Sequence, residues 1–195
     1  MVTAEPRPSP ARDRILDVAS ELFYARGPHA VGVDLIVQAS GVAKMTLYKH
    51  FVSKDALVEA FLLRRDQAWR EWLRRSVERL APGKAYRPLA VFDALEEWFN
   101  DPKFRGCAFI HATAELPDPA HPGRRASALH KRAVREYIEE LCRDAGLEHP
   151  GDVASGLALL VDGAIVAALT EGTVEPASRA RTAAVVMINA VKRAG

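Results

Sequence analysis

Apolar positions in the first quarter of the chain recur at intervals of three and four residues, punctuated by glycine. Ile15, Ala19, Leu22 and Phe23 share one helical face. Ser9 and Pro10 suit the start of that helix, as cap and first helical position, and Gly27 suits a left-handed stop. A second short run, VDLIVQAS at 33–40, follows Gly32 as cap, and the turn Gly41-Val42-Ala43 leads into KMTLYKHF. Ser53 then caps a long helix in which Leu57, Phe61, Ala68, Trp69, Trp72, Leu73, Val77 and Leu80 hold the period. Asp55 lies in its favourable first turn and Pro82-Gly83 forms its stop. Helical patterning resumes at about 88–100, 106–116, 123–146, 151–172 and 177–194, each stretch bounded by proline or glycine. No stretch alternates with a period of two, so the expected fold is all-α.

The last two patterns differ from the others. GLALLVDGAIVAAL is apolar nearly all round, with small residues at Gly156, Gly163, Ala164 and Ala168. The final helix lines up Ala180, Ala183, Ala184, Met187, Ile188 and Val191 while exposing Val185 and Val186. A helix apolar on every side must be covered on every side. In a chain of 195 residues a second copy is the economical cover, which predicts a homodimer through these two helices. The alternative, that they are simply central to the monomer, stays open. The longest apolar stretch, Leu157 to Leu169, is interrupted by Asp162 and Gly163 and falls short of the roughly 20 residues of a membrane span, so no membrane partner is expected.

Composition narrows the field only a little. With 49% hydrophobic and 27% charged residues the chain can bury a core. The N-terminal run MVTAEPRPSPARDR lacks the apolar core of a secretory signal, and two cysteines do not make a disulfide framework. The expected location is therefore cytoplasmic. Net charge is +2, and the first 55 residues carry seven lysines and arginines against six acids, so any nucleic-acid signal must be local. A nucleophile elbow, a phosphate-cradling glycine loop, a dinucleotide fingerprint and a two-histidine zinc helix are all absent from the sequence. Neither catalysis nor a cofactor nor a metal is expected.

The local signal lies in SGVAKMTLYKHFVSKDAL, residues 40–57. A helix, a glycine turn and a second helix, placed after a longer first helix, form the arrangement in which a recognition helix enters the major groove. Lys44, Thr46, Tyr48, Lys49 and His50 are too many polar residues for a core helix, while Leu47 and Phe51, four apart with Val42 behind them, supply an apolar anchor. The stretch VDLIVQASGVAKMTLYKHFVSKDAL resembles the N-terminal DNA-binding domain of the TetR/AcrR family of transcriptional repressors. The hallmark of that domain is a G-V, small residue, T-L-Y, aromatic-hydrophobic, S-K run after a first helix ending in glycine. The resemblance covers about residues 11–60; beyond it, only the all-helical layout is similar to the family's ligand-binding and dimerisation domain.

That resemblance implies a flexible arm over 1–9, a three-helix helix-turn-helix domain over 10–54 and a helical ligand-binding and dimerisation domain over 55–195. It implies that Lys44 and Met45 open the recognition helix and face bases. Thr46, Tyr48 and His50 face phosphates or nearby base edges, Lys49 adds a weaker contact, and Lys54 clamps a phosphate. One departure matters: the preceding helix begins Gly32-Val33-Asp34 where the family usually places threonine or serine. Asp34 repels phosphate unless turned away, so this helix start is left out of the contact set. Arg7, Arg12 and Arg14 are read either as phosphate or minor-groove contacts or as solvated residues of the arm.

Two-thirds of the chain remains for dimerisation and sensing. Its first half concentrates Trp69, Trp72, Phe92, Trp98, Phe99, Phe104, Phe109 and Tyr137, and polar His111, Thr113, Glu115 and Asp162 lie within apolar runs. The expected pocket for a small apolar or amphipathic effector lies between the long helix and the helices carrying Phe92, Phe109 and Tyr137, with Trp69, His111, Glu115 and Asp162 also contributing. Cys107, His111 and Glu115 fall four apart, one helical face carrying thiol, imidazole and carboxylate. The row reads as a pocket wall, and the alternatives are a metal half-site or a sensor thiol. The functional expectation is a homodimeric DNA-binding regulator, a repressor released from a near-palindromic operator by its effector. The rivals are a helical small-molecule-binding protein or enzyme without DNA binding, and a metal- or redox-sensing regulator of the same family.

Overall fold

The computed structural model describes residues 9–192, the side chain of Lys192 excepted. The expected arm over 1–9, with Arg7, lies outside the described residues apart from Ser9. Among the described residues there are nine α-helices, one short 3-10 turn and no strand. The helices are α1 (Pro10–Arg26), α2 (Val33–Ser40), α3 (Lys44–His50), α4 (Lys54–Leu80), α5 (Arg87–Phe99), α6 (Ala108–Glu115), α7 (Pro122–Asp144), α8 (Pro150–Glu171) and α9 (Glu175–Lys192). The 3-10 turn, Lys84–Tyr86, follows α4.

Helix ends follow their local chemistry. Pro10 opens α1 and Gly27 ends it with φ +79°. Ser9 adopts extended cap geometry but its hydroxyl makes no cap bond; it approaches His50 Nε2 at 3.5 Å instead. Gly41, at φ +67°, closes α2 in the left-handed conformation and donates its N–H to Val37. The Ser53 hydroxyl accepts the Ala56 N–H at 3.1 Å, the cap expected at the head of α4.

By packing, the chain forms two compact units. The first takes in the described residues up to Arg65 together with residues 108–127; the second comprises 66–107 and the described residues from Ala128 onward. The expected boundary at residue 54 marks the start of α4, whereas compactness divides the chain within that helix. In the first unit α1 packs on α2 and α3, burying Ile15, Leu16, Ala19, Phe23, Ile36 and Leu47. The first turns of α4 join through Leu57, Val58, Phe61 and Leu62, and the Phe23 and Phe61 rings lie 5.7 Å apart. Arg64 ties α4 to α1 by donating to the Asp17 carboxylate, the Leu16 carbonyl and the Ser20 hydroxyl.

The second unit is built on α8 and α9 packed together, with α5 against both. The helix α8 runs for 22 residues, well beyond the apolar stretch 157–169, and is long and apolar enough to cross a bilayer by length and composition. Its role is set by packing: Val153, Ala154, Leu157, Val161, Ala164, Ile165 and Ala168 are buried inside the protein, and Asp162 is paired with Lys131. The inward and outward faces of the two last helices also become distinct. Ala164, Ala168 and Ala184 point inward, whereas Leu159, Val166 and Leu169 of α8 and Val186 of α9 are exposed.

Candidate nucleic-acid interface

The helix α3 is held by one buried residue, Leu47, with Phe51 closing the turn behind it. Every other side chain is exposed or half-buried: Met45 is 86% and Tyr48 43% exposed, Lys44 and Lys49 are exposed, and Thr46, His50 and Lys54 are half-buried. A seven-residue helix with one inward side chain contributes little core; its remaining surface is free to meet a partner. The turn at Gly41 brings the starts of α2 and α3 together, and Lys44 Nζ donates to Asp34 Oδ1 at 2.7 Å. Asp34's hydrogen bond and its charge hold the Lys44 ammonium above the ordinary lysine value. The carboxylate that the sequence set aside is therefore turned toward α3. Arg12 and Arg14 belong to α1 and not to the arm: the Arg12 guanidinium lies 5.1 Å above the Phe51 ring, and Arg14 lies beside Gly41.

The same unit contains contacts that sequence reasoning missed. Glu115, at the end of α6, accepts the His29 backbone N–H at 2.7 Å in the corner between α1 and α2. A β-carbon at Gly27 would lie 2.0 Å from its Oε1. Arg124 donates to the Thr113 and Leu116 carbonyls at the end of α6. The His121 Nδ1 accepts the Gly123 N–H at 2.9 Å, leaving Nε2 to face Asp55 at 3.3 Å. Glu115 thus fastens residues 108–127 to the α1–α2 corner and His121 fastens them to the start of α4, while the Arg124 bonds lie within the segment.

Residues 15–61 match the family model described as bacterial regulatory proteins, tetR family. Nearly the whole chain is similar to the TetR-family transcriptional regulator SCO4454 from Streptomyces coelicolor, with 32% identity, 93% of this chain and 95% of that chain covered, and a TM-score of 0.84. The chain belongs to the TetR family. It is a DNA-binding transcriptional regulator and not an enzyme. A TetR regulator described as sav143 from Streptomyces avermitilis is similar at 28% identity over 94% of this chain and 99% of that one, with a TM-score of 0.81. The HTH-type transcriptional regulator YjdC of Escherichia coli is 24% identical over 157 residues, 79% of this chain and 81% of its own length.

In the second unit of this TetR-family regulator the three tryptophans of the chain meet. Trp69 lies 5.7 Å from Trp72 and 5.8 Å from Trp98, and Trp98 packs edge-on against Phe104 at 5.0 Å. The Trp69 indole N–H is buried without a hydrogen-bond acceptor among the described residues. Beside it, 5.3 Å from the Trp69 ring, is His130, a residue the sequence did not single out; it is 3% exposed. Its Nδ1 lies 2.7 Å from Asp66 Oδ1. Burial drives the His130 pKa down to about 4 against the opposing pull of Asp66, so at neutral pH this is a hydrogen bond from a neutral imidazole. Burial alone would raise Asp66, but hydrogen bonds from Arg70 and His130 outweigh it and hold the carboxyl below its usual range.

The other expected effector residues are placed as follows. Phe92 is buried in α5, and Tyr137 is buried in α7 beneath the Arg74 guanidinium at 4.2 Å, with burial pushing its phenol up to about 12. Asp162 pairs with Lys131, whose ammonium also lies 3.6 Å from Cys107 Sγ. Phe109, His111 and Glu115 belong to the first unit, Phe109 buried and His111 half-buried. The Cys107, His111 and Glu115 row is not one wall: Cys107 precedes the first residue of α6 and faces Lys131, while Glu115 is committed to the α1–α2 corner. No group of three or more potential metal ligands converges among the described residues.

Proposed function

We propose that this TetR-family regulator is a homodimeric repressor acting on the DNA of the cytoplasm. Each protomer places α3 in the major groove of one half of a near-palindromic operator, and a small apolar or amphipathic effector bound in the second unit releases it. The observation that carries this reading is α3 itself, which buries Leu47 alone and leaves Lys44, Met45, Tyr48 and Lys49 outward. Such a helix supplies donors for phosphates and base edges and an apolar contact for a thymine methyl. Thr46, His50 and Lys54 complete the contact set.

Dimerisation is supported by the outward stripe of α8, where Leu159, Gly163, Val166 and Leu169 recur at helical spacing and a β-carbon on Gly163 would meet only open space. Val186 continues the apolar surface on α9. Two recognition helices held about one DNA turn apart would match a near-palindrome. Effector binding is supported by the tryptophan cluster and its buried Asp66–His130 pair, with Phe92, Tyr137 and Asp162 in the same unit. The helix α4 belongs to both units and is the natural lever for a coupling of typically 1–3 kcal/mol.

The test begins with duplex fragments selected by the purified full-length chain. Binding should weaken steeply with salt, as phosphate contacts release counterions, and Tyr48→Ala should weaken it while helical content is retained. Because all three tryptophans lie in one cluster, fluorescence excited selectively at tryptophan reports on the proposed effector site. A compound that shifts that fluorescence should also lower operator affinity. Selection of no duplex sequence would defeat the operator reading, and a fluorescence shift without loss of DNA affinity would defeat the release mechanism.

A further inference from the structure

Stability explains little of the acidic start of α2: Asp34 lies in the helix's first turn, where an exposed carboxylate gains only a modest amount from the helix dipole. Asp34 and Lys44 are exposed over 83% and 54% of their side chains, and an exposed ion pair contributes little to folding. A carboxylate beside phosphates is unfavourable unless it does something there that a neutral side chain cannot. Its position narrows what that is. Lys44 is the first residue of α3, and the N-terminal residues of a recognition helix are those that reach base edges. Asp34 Oδ1 takes one of the three ammonium hydrogens. Two donors therefore remain on Lys44, and Oδ2 takes no hydrogen bond among the described residues.

We infer that Asp34 is a specificity-determining residue that acts together with Lys44 to read one G·C base pair in each half-site. This rests on the proposed docking of α3 in the major groove. Across that groove a G·C pair shows two acceptors on guanine, N7 and O6, followed by the amino donor of cytosine N4. The ammonium and carboxylate, locked side by side, offer the complementary order of donors and then an acceptor. An A·T pair interrupts that order with the adenine amino donor between two acceptors, so the ammonium meets a donor. A reversed C·G pair inverts the order, and the fixed placement of Lys44 on α3 and Asp34 on α2 distinguishes the two orientations. Asp34 also lowers affinity for DNA in general, because its charge opposes every phosphate that approaches the start of α2.

The experiment selects sites from a randomised duplex pool with the wild-type chain, Asp34→Ala, Asp34→Asn and Lys44→Ala, and then titrates duplexes differing at the selected position. Both residues are exposed, so the variants should retain the wild-type circular dichroism. Wild type should demand G·C at one position per half-site. Asp34→Ala should lose roughly 5- to 150-fold of that discrimination, the range of a well-made base contact, while its affinity for random duplex rises and its salt dependence steepens. Asp34→Asn, which keeps an acceptor without the charge, should fall between. If Lys44→Ala relaxes the position and Asp34→Ala leaves it as selective as wild type, the role of Asp34 is overturned while the docking of α3 stands. If neither variant changes any position, the docking itself fails.

Discussion

The helices α3 and α8 use apolar residues in opposite ways. The former has seven residues and one buried side chain; nearly everything else on it faces outward and is polar, so its sequence says what it is for. The latter has 22 residues with apolar side chains on both its inward and its outward face, so its sequence says only that it must be covered. On the proposed function, α3 reads DNA by what it leaves uncovered, and α8 assembles two copies by carrying more apolar surface than one protomer covers. The contrast can be broken or sharpened by substitutions that exchange the two situations.

The largest effect is expected on the inward face of α8. Arginine in place of Ala168, which is 3% exposed, would bury an unpaired charge at a cost of several kcal/mol, and the protein should lose its cooperative unfolding transition in circular dichroism. Next comes Leu47→Ala, which removes the single buried side chain of α3 and should cost about 2–5 kcal/mol in urea titration. A loss well under 1 kcal/mol would show that α3 is held some other way. A third effect, about 3 kcal/mol, belongs to His130. Its folded pKa of about 4 lies below the ordinary 6.5, so between those values the unfolded chain takes up a proton that the folded chain refuses. Stability should therefore be complete above pH 6.5 and decline as pH falls toward 4. His130→Leu should flatten that slope; an unchanged slope would place the acid sensitivity elsewhere. The smallest effects on protomer stability, within about 0.5 kcal/mol, are expected for Leu159→Arg on α8 and Met45→Ala on α3. The first should nonetheless yield helical monomers in sedimentation, and the second should weaken operator binding. A dimer that persists in Leu159→Arg would move the interface off this face.

The helices were legible because their signals are local. Leu47 and Phe51 stand four apart among polar residues, and Ser53 precedes the long period and caps it as expected. Contacts between distant segments were not legible: in the first unit Glu115 meets a backbone N–H 86 residues away, and in the second His130 meets a carboxylate 64 residues away. Spacing along one helix placed Cys107, His111 and Glu115 in a row, but spacing cannot say that the chain before Ala108 leaves the helical path. For α8 and α9 the limitation differs. Alanines and leucines on an all-round apolar helix give no sign of which face turns inward, and only packing separates buried Ala168 from exposed Leu159.

The corner at Gly27 has a consequence for how this protein can vary over time. The left-handed φ of +79° penalises any side chain, and the Glu115 carboxylate occupies the volume where a β-carbon would go. A lineage that loses the glycine first must displace the acid and hold a side chain on a backbone that only glycine adopts without strain, while one that loses the acid first keeps an unstrained glycine and gives up only an exposed bond to the His29 N–H. The two losses are therefore unequal, and the order in which they occur links two positions that are 88 residues apart (115 − 27). Descendants that replace Gly27 should already have replaced Glu115.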